Sequence, residues 1–164
     1  MSKFKEYLPQ FVYGGIDGIV TTFAVVSGSA GASLSPQVVL ILGFANLFAD
    51  GFSMSIGAYM AEKSDHREGK NALKVGLATF ISFFIVGFIP LTVYVLKFFF
   101  NLKTNNDFLY SSLSTSLGFL LIGLARKKVE PKNKFVIIQT ILLGVIASVV
   151  AYLVGEFLNR WLSS

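Results

Sequence analysis

The sequence predicts an all-α integral membrane protein with five transmembrane helices, and three observations support this fold class. Of the 164 residues, 54% are hydrophobic and only 14% are charged, whereas a soluble domain usually carries about 25% charged residues. The mean hydropathy of the chain is +0.68. The charged residues also cluster in short stretches between long apolar runs, which is the pattern expected of a chain whose solvent is lipid.

Five apolar stretches are each close to the roughly 20 residues that a helix needs to cross the hydrocarbon core. The first contains Asp17, and Pro36 opens the second. The third is long enough to tilt, and Pro90 within it predicts a kink. The fourth has a first half that is rich in serine and therefore polar. We expect a single membrane domain over residues 1–164, with spans at about 9–33, 36–61, 72–100, 108–125 and 135–158.

Lysine and arginine residues are unequally divided between the connections, and this division predicts the orientation of the chain. Eleven of the 14 lie at the amino terminus, between the second and third spans, and between the fourth and fifth spans. The opposite side has only Lys97, Lys103 and Arg160. Because cytoplasmic connections carry the excess of lysine and arginine, we expect the N-terminus in the cytoplasm and the C-terminus outside.

Several classes of protein are excluded by composition. The chain has no cysteine, so disulfides and thiolate metal sites cannot form. Its net charge of +5 comes from residues that flank the spans, so we expect no nucleic acid partner. The first apolar run is too long for a signal peptide and contains Asp17. No Ser–His, His–Glu–x–x–His or paired-aspartate motif is present, so we do not expect an enzyme.

Two carboxylates inside the predicted spans are the first candidates for function. Each costs about 2.5 to 3.5 kcal/mol to place in a membrane helix, so such residues are rare. Asp17 lies about two turns past Pro9, on the order of 12 Å along the helix, and Asp50 lies near the middle of its span. A helix–helix hydrogen bond would explain Asp50 equally well. Glu156 lies near the end of the fifth span and is expected to pair with Arg160.

Polar residues near these carboxylates recur at helical spacing and predict a metal path. In the first span, Tyr13, Asp17 and Thr21 share a face. Carboxylate and amide oxygens favour Mn²⁺ and Fe²⁺, and one thioether would disfavour Ca²⁺ and Mg²⁺. The simpler alternative is a packing face with methionine as filler. The stripe in the second span consists of Gly43, Asn46, Asp50, Ser53 and Gly57, with Met54 at its edge. The predicted metal ligands are Asp17, Asn46, Asp50 and Met54.

The connection after the second span has acidic residues and the single histidine of the chain. These side chains could capture a cation before it enters the membrane. An ordinary solvated loop of mixed charge is the alternative. The candidates for capture are Glu62, Asp65, His66 and Glu68.

Four stretches of the chain resemble the vacuolar iron transporter family. Two of them carry most of the resemblance, GGIDGIVTTFAVVSGSAGAS and GFANLFADGFSMSIGAYMAEKSD. Their combination is specific, although either piece alone would be weak. NALKVGLATFISFFIVGFIPL resembles the family's third span, and AYLVGEFL resembles the end of its fifth. The resemblance covers nearly the whole chain and keeps the order of the spans.

This resemblance implies a five-helix protomer that forms a homodimer, with the first two helices of both copies lining the ion path. Members of the family export Fe²⁺ or Mn²⁺ from the cytosol, commonly in exchange for protons. By position, Asp17 matches the family's first-span aspartate and Met54 its second-span methionine. Asn46 falls where many members have a glutamate, and whether Asp50 substitutes for it one turn along stays open.

The connection between the second and third spans departs from the plant iron-transporting members of the family. Those members insert a long, glutamate-rich, helical metal-binding domain there. Residues 63–71 leave no room for such a domain. The chain therefore resembles the short, nodulin-like branch of the family.

The sequence thus predicts transport of Fe²⁺ and/or Mn²⁺ out of the cytosol, coupled to protons, for iron and manganese homeostasis. The metal is cargo, and no cofactor is expected. Two alternatives stay open, a passive cation channel and a non-transporting scaffold or regulatory protein that keeps the fold. The expected location is a prokaryotic inner membrane, or an endomembrane if the source is eukaryotic.

Overall fold

The computed structural model describes residues 3–65, 70–100 and 106–164, without the side chains of residues 3–5, and the regular structure in these ranges is helical. Six α-helices and one short 3₁₀ turn follow each other along the chain. Their bounds are α1 Lys3–Gly31, α2 Pro36–Ser64, α3 Ala72–Gly87, the 3₁₀ turn Ile89–Leu91, α4 Thr92–Phe100, α5 Asp107–Val129 and α6 Val136–Leu162.

Five segments of the described chain are long and apolar enough to cross a membrane, which confirms the predicted fold class. These segments coincide with α1, with α2, with α3 to α4 taken together, with α5 and with α6. The helices extend beyond several of the predicted spans. Pro9, which was predicted to open the first span, lies inside α1, because the helix continues into the polar residues that precede the apolar run.

Helix α1 is the centre of the bundle. It contacts α2, α3, α5 and α6, and the side chains of Val12, Ile19 and Val26 are completely buried. The apolar window of the first span is 56% buried, compared with 22% for α2 and 17% for α6. Helices α2 and α6 therefore present most of their apolar surface outwards, as peripheral membrane helices do.

Glycines allow α1 to approach its neighbours to backbone contact. A Cβ atom on Gly18 would collide with the backbone of Phe83 in α3. Further along α1, a Cβ on Gly155 of α6 would collide with the backbone carbonyl of Gly28. Such close approach is how membrane helices gain van der Waals contact without help from water.

The third span is interrupted at Pro90, where the sequence predicted a kink. Proline has no N–H group and cannot continue the hydrogen-bond ladder of an α-helix, and the chain forms the 3₁₀ turn Ile89–Leu91 at this point. The hydroxyl of Ser111 in α5 donates a hydrogen bond of 2.6 Å to the backbone carbonyl of Pro90. Helix α5 thus supplies a donor where the third span is irregular.

The two ends of the bundle differ in charge. The end at which α1 begins also bears the start of α3 and residues 126–134, which comprise the last turn of α5 and most of the connection to α6. We call it the basic end. At the opposite end Lys97 pairs with Asp107, which joins α4 to α5. Glu156 pairs with Arg160 within α6, as the i,i+4 spacing predicted.

Candidate functional site

Asp17 lies at the middle of α1 and is only partly buried, although its neighbours Ile16 and Gly18 are buried. Its backbone carbonyl accepts a hydrogen bond of 2.9 Å from the hydroxyl of Thr21, one turn further along. Asp50 of α2 lies within electrostatic range of the Asp17 carboxylate. The structure therefore brings the two predicted intramembrane carboxylates near each other, on adjacent helices.

Asn46 links α2 to α1 beside this pair. Its side-chain nitrogen donates to the hydroxyls of Thr21 and Thr22, at 3.3 Å each. Asn46 and Asp50 are one turn apart on α2 and therefore share a face. We call Asp17, Thr21, Asn46 and Asp50 the α1–α2 polar cluster. Three of the four predicted metal ligands belong to it.

The carboxylates of this cluster have no basic partner in the part of the chain that the structure describes. Neither Asp17 nor Asp50 takes part in an ion pair there, and the side-chain oxygens of both are without hydrogen bonds to described residues. Inside a bilayer a carboxylate normally pairs with another group or faces a water-filled cavity. This pair therefore has the chemistry of a cation site rather than of a structural ion pair.

Met54, the fourth predicted ligand, is partly buried and packs against the apolar core of the bundle. The predicted stripe on α2 is also less uniform than its spacing suggested. Gly43 is buried against Leu91, whereas Ser53 is exposed and a Cβ on Gly57 would meet no atom of the described residues within 4 Å. Helical steps of three and four drift around the axis over several turns, so the two ends of the stripe have different surroundings.

The predicted capture residues have varied positions. A carboxylate oxygen of Glu62 accepts a hydrogen bond of 2.7 Å from the backbone N–H of Lys70. Asp65 caps the end of α2, and His66 and Glu68 lie outside the described residues. Within the described ranges, no group of three or more histidine or acidic residues is arranged to hold a metal ion. A role in capture stays a prediction.

A second polar group, at the basic end, was not anticipated from the sequence. The hydroxyl of Tyr13 donates to Glu130 at 2.8 Å, and Arg126 donates to the same carboxylate from Nε at 2.9 Å. Asn133 adds a longer bond of 3.5 Å. One feature of the sequence could have pointed to Glu130, because it is the single acidic residue among residues 126–134.

These donors lower the pKa of Glu130 below its usual value, with the hydrogen bond from Arg126 as the largest cause and that from Tyr13 as the second. A carboxylate with a lowered folded-state pKa stabilises the fold above its unfolded pKa of about 4.3, and this contribution is lost as the pH falls through the folded value. We therefore expect the melting temperature of the detergent-solubilised protein to decrease when the pH is lowered below about 4.5.

The Glu130→Gln variant isolates this contribution. Its melting temperature should lie below that of the wild type at pH 6 to 7, and the difference should shrink as the pH falls through about 4. A thermal-shift series over pH 3 to 7 measures both curves. A difference that does not change with pH would show that the charge of Glu130 does not contribute to stability.

The fold and the polar cluster define a multi-pass helical membrane protein with carboxylates inside its spans. The family model described as the VIT family matches residues 8–67 and 62–156. The chain belongs to this family, and the resemblance found in its motifs is confirmed. The two matched segments overlap at residues 62–67, which begin in the last turn of α2.

Three relatives show how far the similarity extends. The chain is 26% identical to the vacuolar iron transporter of Plasmodium berghei (strain Anka), over 94% of this chain and 83% of the relative. The identity is also 26% with that of Plasmodium falciparum (isolate 3D7), over 97% of this chain and 85% of the relative. It rises to 47% with that of Toxoplasma gondii (strain ATCC 50861 / VEG), over 37% of this chain and 20% of the relative.

Proposed function

We propose that this protein moves a divalent transition metal, Fe²⁺ and/or Mn²⁺, out of the cytosol in exchange for protons, and so serves iron and manganese homeostasis. The observation that carries the proposal is the neighbouring pair Asp17 and Asp50, placed within membrane spans and without a basic partner among the described residues. Membership of a family of transporters and relatives named iron transporters support it.

The donor atoms of the α1–α2 polar cluster suit a metal of this class. Two carboxylates supply hard oxygen ligands, which Mn²⁺ and Fe²⁺ accept. The side-chain nitrogen of Asn46 donates hydrogen bonds to Thr21 and Thr22. The side-chain oxygen of Asn46 accepts no hydrogen bond from the described residues, so this oxygen can face an ion. Met54 supplies a softer donor when its side chain leaves the core, which would favour Fe²⁺ over Ca²⁺ or Mg²⁺.

A second copy of the chain completes the proposed path. Ser53 is a polar side chain exposed on the outer face of α2, where lipid offers it no hydrogen bond. Gly57, one turn further, has open space around it, and small residues allow close approach of membrane helices. A homodimer that joins the α1–α2 faces would cover both positions and double the number of carboxylates in the path.

In this proposal protons cross the membrane in the direction opposite to the metal. A metal held between carboxylates leaves when protons take its place, since a proton also neutralises a carboxylate. The basic end faces the cytosol in this arrangement, because it carries the excess of lysine and arginine. The protein would act in a prokaryotic plasma membrane or, in a eukaryote, an endomembrane. The metal is cargo, and neither a resident cofactor nor an enzymatic activity is proposed.

Uptake into proteoliposomes tests the proposal. Purified protein is reconstituted, and the uptake of Fe²⁺, Mn²⁺, Co²⁺, Zn²⁺ and Ca²⁺ is followed with and without an outwardly directed proton gradient. We expect Fe²⁺ or Mn²⁺ uptake that the gradient accelerates and that acidifies the external medium. Uptake indifferent to the gradient would indicate a channel. The absence of any metal uptake, together with no metal binding by calorimetry, would indicate a scaffold.

A further inference from the structure

We propose that Glu130 is a positioning residue for transport. Through Tyr13 it fixes the rotation of the first turns of α1, and with it the direction of the Asp17 side chain. The inference rests on the function proposed above and adds a residue outside the ion path. It arises from a hydrogen-bonded group at the basic end that joins three helices.

Glu130 is a firmly held acceptor. Its carboxylate receives bonds from Nε of Arg126 at 2.9 Å, from Nη2 of Arg126 at 3.5 Å and from Asn133 at 3.5 Å. Arg126 also donates, from Nη1, to the hydroxyl of Thr140 at 3.2 Å. Thr140 is completely buried in α6, so the carboxylate is anchored to both α5 and α6. Charge-assisted bonds of this kind are stronger than neutral ones.

Tyr13 connects this anchor to α1. Its hydroxyl donates to Oε1 of Glu130 at 2.8 Å, and Tyr13 precedes Asp17 by one turn on the same face, roughly 6 Å along the axis. The neighbouring contact of α1 with α3 is made through Gly14, against Thr79 and Ser82. This contact and the buried side chains of Val12 and Ile16 restrict α1 by packing, whereas the bond from Tyr13 is directional and so selects one rotation among those that packing allows.

A weaker contact reaches the same face of α1 from the other connection at the basic end. Nζ of Lys70 donates to the side chain of Gln10 at 3.4 Å, and Gln10 lies one turn before Tyr13. This bond is long and depends on a flexible lysine stem. The bond between Tyr13 and Glu130 is therefore the stronger of the two hydrogen bonds to this face, and it is the one to remove.

Transport kinetics in proteoliposomes, with Mn²⁺ as the probe, form the first test. Tyr13→Phe removes only the hydroxyl and should raise the KM about 3- to 10-fold, the size of one lost hydrogen bond, with Vmax unchanged within about twofold. Glu130→Ala should match it, and the double variant should be no worse than either single one. Glu130→Gln should stay within about twofold of wild type, because its amide oxygen still accepts from Tyr13.

Tyr110→Phe is the matched control, since the exposed Tyr110 makes no hydrogen bond through its hydroxyl to the described residues. It should leave the KM unchanged. A KM that rises equally in both tyrosine variants, or an additive double variant, would overturn the proposal. Melting temperatures recorded beside the kinetics identify any variant that has lost its fold.

A second readout does not depend on transport. Because the chain has no cysteine, spin labels can be placed on Glu6→Cys and Lys132→Cys, with excess unlabelled protein added so that distances within one copy are measured. Tyr13→Phe should broaden or shift the dipolar distance distribution, whereas Glu130→Gln and Tyr110→Phe should not. An unchanged distribution in Tyr13→Phe overturns the positioning role. If the wild type moves no metal, the proposed function fails, and this measurement still decides the positioning role.

Discussion

Asp17→Asn is expected to reduce Mn²⁺ and Fe²⁺ uptake by roughly 10- to 100-fold, because it removes one charged ligand from the proposed ion path. Asparagine has nearly the same shape, and the Asp17 side chain has no basic partner among the described residues. The substitution therefore breaks no ion pair there. Since it also removes a charge from a membrane helix, the melting temperature should be equal to that of the wild type or higher.

A loss of transport without a loss of stability would distinguish a metal ligand from a structural carboxylate. A structural carboxylate would lose stability and activity together. Uptake into proteoliposomes and thermal unfolding in detergent are measured on the same preparations. Glu156→Gln is the matched control, because Glu156 pairs with Arg160 at the far end of α6 and should leave uptake almost unchanged. Full uptake by Asp17→Asn would remove the proposed ion path.

Gly155→Ala is expected to destabilise the protomer by about 1 to 3 kcal/mol, the usual cost of overpacking. A Cβ at position 155 would collide with the backbone carbonyl of Gly28. Backbone atoms cannot turn aside as a flexible side chain can, so α6 must move away from α1. The loss should appear as a lower melting temperature and as earlier aggregation in size-exclusion chromatography.

The control for this substitution is Gly57→Ala. A Cβ at position 57 would meet no atom within 4 Å among the described residues, and alanine forms helix better than glycine by about 1 kcal/mol. Gly57→Ala should therefore keep or slightly raise the melting temperature. If both variants were equally stable, the contact between α1 and α6 would accept an added methyl group at position 155 without a loss of stability.

The sequence predicted the features that follow from local residue patterns. The five spans follow from uninterrupted apolar runs, the interruption of the third from Pro90, and the ion pair of Glu156 with Arg160 from i,i+4 spacing. The sequence also assigned Asp17 and Asp50 to one ion path, and this assignment stays a prediction. All of these depend on residues close in sequence or on a motif.

Contacts between distant segments were beyond the reach of the sequence. Tyr13 and Glu130 are 117 residues apart, and no periodic pattern connects them. The packing of Met54 against its own core and the different surroundings of Gly43 and Gly57 depend on how α2 leans against its neighbours. That lean is a property of the assembled bundle rather than of any single helix.

The way in which α1 is held has a consequence for how the path could open. Its close approaches at Gly18 and Gly155 are between backbones. At Gly43 and Gly51, by contrast, α2 meets side chains, those of Leu91 in the 3₁₀ turn and of Phe83 in α3. A side chain can change its rotamer, whereas backbone atoms cannot turn aside. The contacts of α1 with α3 and α6 are therefore less able to adjust than those of α2 at Gly43 and Gly51, and Asp17 and Asp50 lie on the two helices that differ in this way.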